Sequence, residues 1–236
     1  MKIEVLYPEL CNLYGDLANA EYLARSGGGQ IVKTSLSETP RFLSEDIALV
    51  YMGGTTERGQ SIVRDAFAPH LEALVRRTQA GGVTLLTGNA LEIFGEYIEN
   101  EDGTRENMLG LFPIHSDRHM MDRYNSLYLG KLDDMDIVGF KSQFGHSYGD
   151  NGDGLFQTVR GAGLNPDVNA EGIRQNNLMA TYLLGPLVIL NPPFAKYLLH
   201  LMGVEEPTLA FEDTAMDVYA HRVGQFSEPD RGFIYH

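Results

Sequence analysis

A chain of 236 residues that is 43% hydrophobic can bury a large core, and a formal net charge of -14 argues against a nucleic-acid partner, whose phosphates require clustered Lys and Arg. The single cysteine, Cys11, excludes an intramolecular disulfide and a cysteine-cluster zinc site, in keeping with a reducing compartment. No run of 18 apolar residues occurs and Met1 to Leu6 reads as a strand rather than a secretion signal, so a soluble, cytoplasmic protein without membrane insertion is expected.

Lys2 to Leu6 forms the first apolar strand pattern. Asp16 is placed to cap a helix from about Leu17 to Ser26, where Leu17, Ala20 and Leu23 recur at helical spacing before Gly27-Gly28-Gly29 ends it. Gln30 to Ser35 and Ile47 to Tyr51 are the next strands. A turn at Met52-Gly53-Gly54 leads to a helix from about Gly59 to Gln79, kinked at Pro69. Val83 to Leu86 is the fourth strand. Apolar strands without polar alternation, separated by helices, predict an α/β fold with a mostly parallel sheet covered on both faces. Ligands of such sheets sit at the carboxyl ends of the strands, which gathers the turns after Leu6, Tyr51 and Leu86 at one rim.

The second half is less regular. Asn100-Glu101-Asp102-Gly103 is a turn, and Asn125 to Leu129 and Phe156 to Val159 read as strands of a more antiparallel region. Leu178 to Leu184 is a strand ending at Gly185-Pro186, followed by a helix from about Pro193 to Met202 and another from about Phe211 to Val223. One domain over 1–236 is expected, with 204–236 as a helical extension.

Gly81 to Gly95 has the layout of a nucleophile elbow: a buried strand, a tight turn and a helix, with Gly88 where Cys or Ser would stand. Leu6 to Asn19, opening Leu6-Tyr7-Pro8-Glu9-Leu10-Cys11-Asn12, resembles the start of the glutaminase subunit of lipid II isoglutaminyl synthase, a relative of the cobyric acid synthase amidotransferase domain. Met52 to Gln60 resembles that family's Gly-Gly-Gly-Gln-Asp turn, Leu109 to Phe112 its Leu-Gly-Leu-Leu/Phe segment, and Val138-Gly139-Phe140 its Gly-Phe-Glu-Asn-His segment. Thr181 to Leu187 with Asn191-Pro192 resembles Thr-Tyr-Leu-His-Gly-Pro-Leu followed by Asn-Pro. The matches keep their order from about residue 3 to 200.

The resemblance implies a class I glutamine amidotransferase: a flavodoxin-like three-layer sandwich in which an elbow Cys attacks the glutamine amide and a His moves the protons. Matching the motifs puts the nucleophile at Gly88 and the base at Leu184, so both groups are missing. Thr55, Glu92 and Gln143 replace the family's Gln, Gln and His. The implied ligand-contacting positions are Gly53, Gly54, Thr55, Asn89, Glu92, Ser116 and Arg123, with Arg118 competing for the role of Arg123. Glu92 reads equally as a negative charge in the site and as a solvated helix carboxylate.

The family's partner, a Mur-ligase-like synthetase subunit, and glutamine or a related small ligand are the expected associates. No metal and no cofactor are expected. A catalytically degenerate subunit or binding module is the first reading, with a working amidotransferase that uses an unconventional nucleophile and an amino-acid sensor as alternatives. Cys11 is the one thiol near the rim, although a buried small hydrophobe is its plainer reading. His146 is a displaced base or a surface His. Asp150 to Gly154 reads as a polar turn, since Gly161 stands where a calcium loop needs Glu. His115 and His119 suit a metal only on a helix, and Pro113 weighs against one.

Overall fold

In the computed structural model, which describes residues 1–235, strands and helices are interspersed through the first half of the chain. It runs β1 (Lys2–Leu6), α1 (Leu17–Ser26), β2 (Gln30–Thr34), β3 (Leu49–Met52), α2 (Glu57–Phe67), α3 (Leu71–Gln79), β4 (Val83–Thr87) and α4 (Ala90–Ile93). Strands then dominate: β5 (Tyr97–Asn100), β6 (Arg105–Asn107), β7 (Ile114–Arg118), β8 (Tyr124–Leu132), β9 (Met135–Gln143), β10 (Gly145–Gly149) and β11 (Phe156–Arg160). The remainder is β12 (Ala170–Glu171), β13 (Ile173–Gln175), β14 (Leu178–Thr181), α5 (Leu187–Leu190), α6 (Pro192–Leu201), α7 (Glu212–Ser227) and β15 (Ile234–Tyr235).

The central sheet has the order β13-β14-β4-β3-β1-β2, parallel throughout except for the edge strand β13. Successive side chains of a strand face opposite ways, and both faces here are apolar. Ile3, Val5, Tyr51 and Leu85 pack with Leu23 of α1 and Phe194 of α6. Leu6, Val50, Met52 and Leu86 pack with Val63 and Phe67 of α2, Leu74 of α3 and Leu91 of α4. A four-stranded sheet, β10-β7-β5-β6, and a second sheet built around β8 form the expected antiparallel region; within the first of them β5 and β7 run parallel.

Several expectations need correction. The helix read from Gly59 to Gln79 is two helices, broken at a 3-10 turn over Ala68–His70. Proline has no N–H to give and its ring crowds the preceding turn, so Pro69 interrupts rather than bends. The strand from Leu178 stops at Thr181, because the next amide, Tyr182 N, donates to the Glu171 carboxylate (2.7 Å) instead of to a ladder. The last helix begins one residue late, after Phe211 at φ 57°, and runs to Ser227.

Asp16 does not cap α1. Asn12 Oδ1 accepts from Leu17 N (2.9 Å), while the buried Asp16 carboxylate accepts from Gly54 N (2.8 Å) and Gly185 N (3.0 Å). One side chain after β1 thus ties the turns that follow β3 and β14.

Candidate functional site

Four strands of the parallel sheet end at one rim, and their turns supply Tyr14, Gly54, Gly88 and Leu184 to a cleft of about 300 Å³. The antiparallel region closes its far wall with Arg118, Arg123, Gln143 and Phe144. A wider groove of about 770 Å³ lies beside Gln79, Lys131 and Arg174, near the starts of β4 and β14, and none of these turns reaches it.

Gly88 sits between β4 and α4 at φ +63°, the left-handed conformation of an elbow turn. A Cβ at this position would lie 2.8 Å from Leu184 Cδ2 and 3.2 Å from Gly54 Cα. Positions 88 and 184, read from separate motifs, therefore face each other. Gly88→Ala should destabilise the fold by about 1–2 kcal/mol, the cost of a side chain in left-handed backbone. Chemical denaturation checks this, and trimming Leu184 to Ala in the same chain should leave most of that loss in place.

Asn89 joins the turns after β3 and β4: its Oδ1 accepts from Thr55 N (2.9 Å) and its Nδ2 donates to Thr55 O (2.8 Å). Glu92 is no solvated carboxylate. It is 3% exposed at the floor of the cleft, and Oε2 accepts from Gln60 Nε2 (2.7 Å) while Oε1 accepts from Tyr182 OH (2.9 Å). Gln60 Oε1 in turn accepts from the Arg118 guanidinium (2.6 Å), so one amide links a buried cation to a buried anion. Burial raises the Glu92 pKa, against the opposing pull of Gln60, Arg118 and Tyr182.

Two expected contact residues do not reach the cleft. Ser116 lies behind Tyr182, its Oγ 2.8 Å from Ser147 Oγ, which is 2.7 Å from Tyr182 OH. Gly53 is packed behind its turn against Asp16 and the Cys11 carbonyl. Gly54, Thr55, Asn89, Glu92 and Arg123 do line it, and Arg118 lines it beside Arg123. The Arg123 guanidinium stacks 4.5 Å from the Phe144 ring centroid, and its Nη1 is 3.5 Å from Tyr14 OH. Gln60 and Tyr182 fall within the motifs that carry the resemblance, but a polar residue one turn into a helix and a Tyr after a strand carry no signal of a shared carboxylate.

Cys11, the alternative nucleophile, is buried and does not line the cleft. Cys11 is 1% exposed among Leu6, Val50 and their neighbours, and burial, then Glu9 and Asp16, pushes its thiol pKa up to about 12. At neutral pH it is a protonated hydrophobe, not a thiolate. His146 is on β10, ring edge against Tyr124, with its pKa lowered mainly by burial, and it does not line the cleft. His115 lies on β7, not on a helix, stacked between Tyr97 and Tyr148, and His119 follows the strand end. Among the described residues no group of three or more His, Cys, Asp or Glu can hold a metal. Asp150 accepts from Gly152 N (2.9 Å) within a plain polar turn.

The sheet order and the elbow at the carboxyl end of β4 are those of a class I glutamine amidotransferase, and solved structures agree. A glutamine amidotransferase from Thermotoga maritima matches with a TM-score of 0.55 at 10% identity, over 96% of this chain and 94% of that one. PurLQS from the same organism matches with a TM-score of 0.54 at 12% identity, over 93% and 97%. Identities this low concern the fold alone. The model of the CobB/CobQ-like glutamine amidotransferase domain matches residues 2–189, and the chain belongs to that family. Among curated relatives, the lipid II isoglutaminyl synthase (glutamine-hydrolyzing) subunit GatD of Streptococcus pneumoniae is 26% identical over 205 residues, 83% of this chain and 77% of that protein. The GatD subunit of Staphylococcus aureus is 25% identical over 209 residues, 87% and 85%. Among the described residues no helix is long and apolar enough to cross a membrane.

Proposed function

We propose that this chain is a GatD-like subunit that has kept the amidotransferase fold and a ligand cleft but not glutamine hydrolysis. The observation that carries the reading is the facing pair at the elbow, Gly88 and Leu184, with 2.8 Å between a would-be Cβ and Leu184 Cδ2. Hydrolysis by this fold needs a nucleophile and a proton acceptor in contact. Gly88 offers no side chain and Leu184 no lone pair, and among the described residues no histidine lines the cleft to activate Ser142 or Thr55.

Since the relatives are named as subunits of an isoglutaminyl synthase, the proposed associate is a Mur-ligase-like synthetase. The chain would dock to it and stabilise it without feeding it ammonia from glutamine. We also propose that residues 204–236 belong to the same folding unit as the rest. Supporting this, Tyr219 OH donates to Asp136 O (2.8 Å) and Lys196 pairs with Glu212.

The test is ammonia release from glutamine by the purified chain, alone and with the synthetase. The expected rate is that of the blank. Release that alkylation of Cys11 abolishes would overturn the reading, as would any steady release from the natural chain. Gly88→Cys alone should also be silent, because an unassisted thiol is mostly protonated at neutral pH. Gly88→Cys with Leu184→His supplies both groups at facing positions and should release ammonia above the blank. Co-elution with the synthetase on a sizing column checks the partner.

A further inference from the structure

The walls of the cleft have more acceptors than the protein has donors for. An ionised carboxylate accepts about four hydrogen bonds, and Glu92 receives only those of Tyr182 OH and Gln60 Nε2. Gln60 has nothing left to give, since its Nε2 also donates to Asn89 O (3.1 Å) and its Oε1 is held by Arg118. Beside Glu92, Gly145 leaves room for the carboxylate, because a Cβ there would collide with Oε1. Gln143 donates to the Gly145 carbonyl (2.6 Å), and its buried Oε1 has no partner. Glu92, Gln143 and Gly145 line the same cleft. The next residues of this wall are Phe144 and, stacked on it, Arg123, which among the described residues has no carboxylate within ion-pair distance. Arg118 is already held by Gln60, Asn100 and Glu106. Leu184 adds an apolar flank.

We propose that the cleft binds a small free amino acid whose side chain ends in a protonated amine, its carboxylate on Arg123 and its ammonium between Glu92 and Gln143 Oε1. The proposal rests on the reading of a cleft without a nucleophile, and it names what that cleft selects. An ammonium brings only donors to an acceptor-only floor. A glutamine side chain brings a carbonyl oxygen as well, which faces a carboxylate and an amide oxygen with nothing to receive. The family's Gln at the position of Glu92 carries amide N–H donors, which a carboxylate lacks. Glu92 cannot supply one while ionised, so the substitution exchanges an amide preference for an amine preference. Charge-assisted hydrogen bonds of this kind separate ligands by about 10–100-fold.

Calorimetric titration of the full chain with lysine, ornithine, glutamine, norleucine and cadaverine tests this. Lysine or ornithine should bind at least about tenfold more tightly than glutamine and norleucine. Glu92→Gln should remove that preference, and Arg123→Ala should weaken lysine while leaving cadaverine, which has no carboxylate, unchanged. Gln143→Leu, which removes the second acceptor, should weaken lysine more than norleucine and serves if Glu92→Gln does not fold. Glutamine binding as tightly as lysine, an unchanged preference in Glu92→Gln, or no binding of any amino acid would each overturn the proposal. Ammonia is measured in the same samples: tight glutamine binding without ammonia sinks the amine preference alone, whereas ammonia release sinks the noncatalytic reading whatever lysine does.

Discussion

Lys141→Met should destabilise the protein by about 3–5 kcal/mol, the cost of stranding a buried charge. Lys141 on β9 and Glu171 on β12 are both fully buried, with Nζ 2.6 Å from Oε2. The ammonium also donates to the carbonyls of Gly163 (2.5 Å) and Ala162 (3.3 Å), and the second carboxylate oxygen accepts from Thr181 Oγ1 (2.9 Å) and Tyr182 N (2.7 Å). Burial lowers the Lys141 pKa and Glu171 opposes it. A pair satisfied on every side is worth little over an apolar replacement, but losing one member leaves the other ion with no counter-charge. Glu171→Gln alone should therefore be costly too, and Lys141→Met with Glu171→Gln should be more stable than either single change. Urea unfolding of the four proteins measures this. A single-variant loss below about 1 kcal/mol would show that water reaches the pair. The pair has a bearing on the cleft because Glu171 is what stops β14. By taking the Tyr182 amide it turns the chain out of the sheet, which delivers Tyr182 to Glu92 and Leu184 to Gly88.

How much of this is readable in the residues depends on the sequence distance between partners. The parallel half is legible because apolar strands without alternation, each followed by a helix, leave few other arrangements. The elbow is legible because strand, Gly88 and helix are contiguous, and Gly88 and Leu184 come together because motif order places both at strand ends. Asp16 is a different case. An acidic residue before an amphipathic run normally reads as a cap, yet its partners, Gly54 and Gly185, are 38 and 169 residues away. The chain from Arg118 through Gln60 to Glu92 spans two separations of 58 and 32 residues, and only the folded molecule shows that the carboxylate is dry. Ser116 is a related case: alternation along β7 sets which residues face the interior, but not that Tyr182 stands between Ser116 and the cleft.

Asp16 also makes the stability of the fold depend on pH in the opposite direction from a salt-bridged carboxylate. Its pKa is raised from 3.8 to about 7, burial outweighing the N–H groups of Gly54 and Gly185, which lower it. The folded state thus binds the proton more tightly than the unfolded state, and folding takes up a proton between these values. The contribution is fully present below the unfolded pKa and is lost as pH rises through the folded one. A displacement of this size amounts to on the order of 4 kcal/mol. Asp16→Asn cannot titrate, so subtracting its unfolding free energy from that of the wild type isolates the effect. The difference should fall in the wild type's disfavour from pH 4 to about pH 7, with a slope of up to about 1.4 kcal/mol per pH unit, and level off above that. A difference independent of pH would mean that Asp16 stays ionised in the fold. The two amides it holds belong to the turns that place Gly54 and Gly185 beside Gly88 and Leu184, so the same side chain governs the shape of the cleft. Asp16→Ala, which leaves both buried N–H groups without an acceptor, should cost about 1–3 kcal/mol for each and weaken ligand binding at every pH at which the chain still folds.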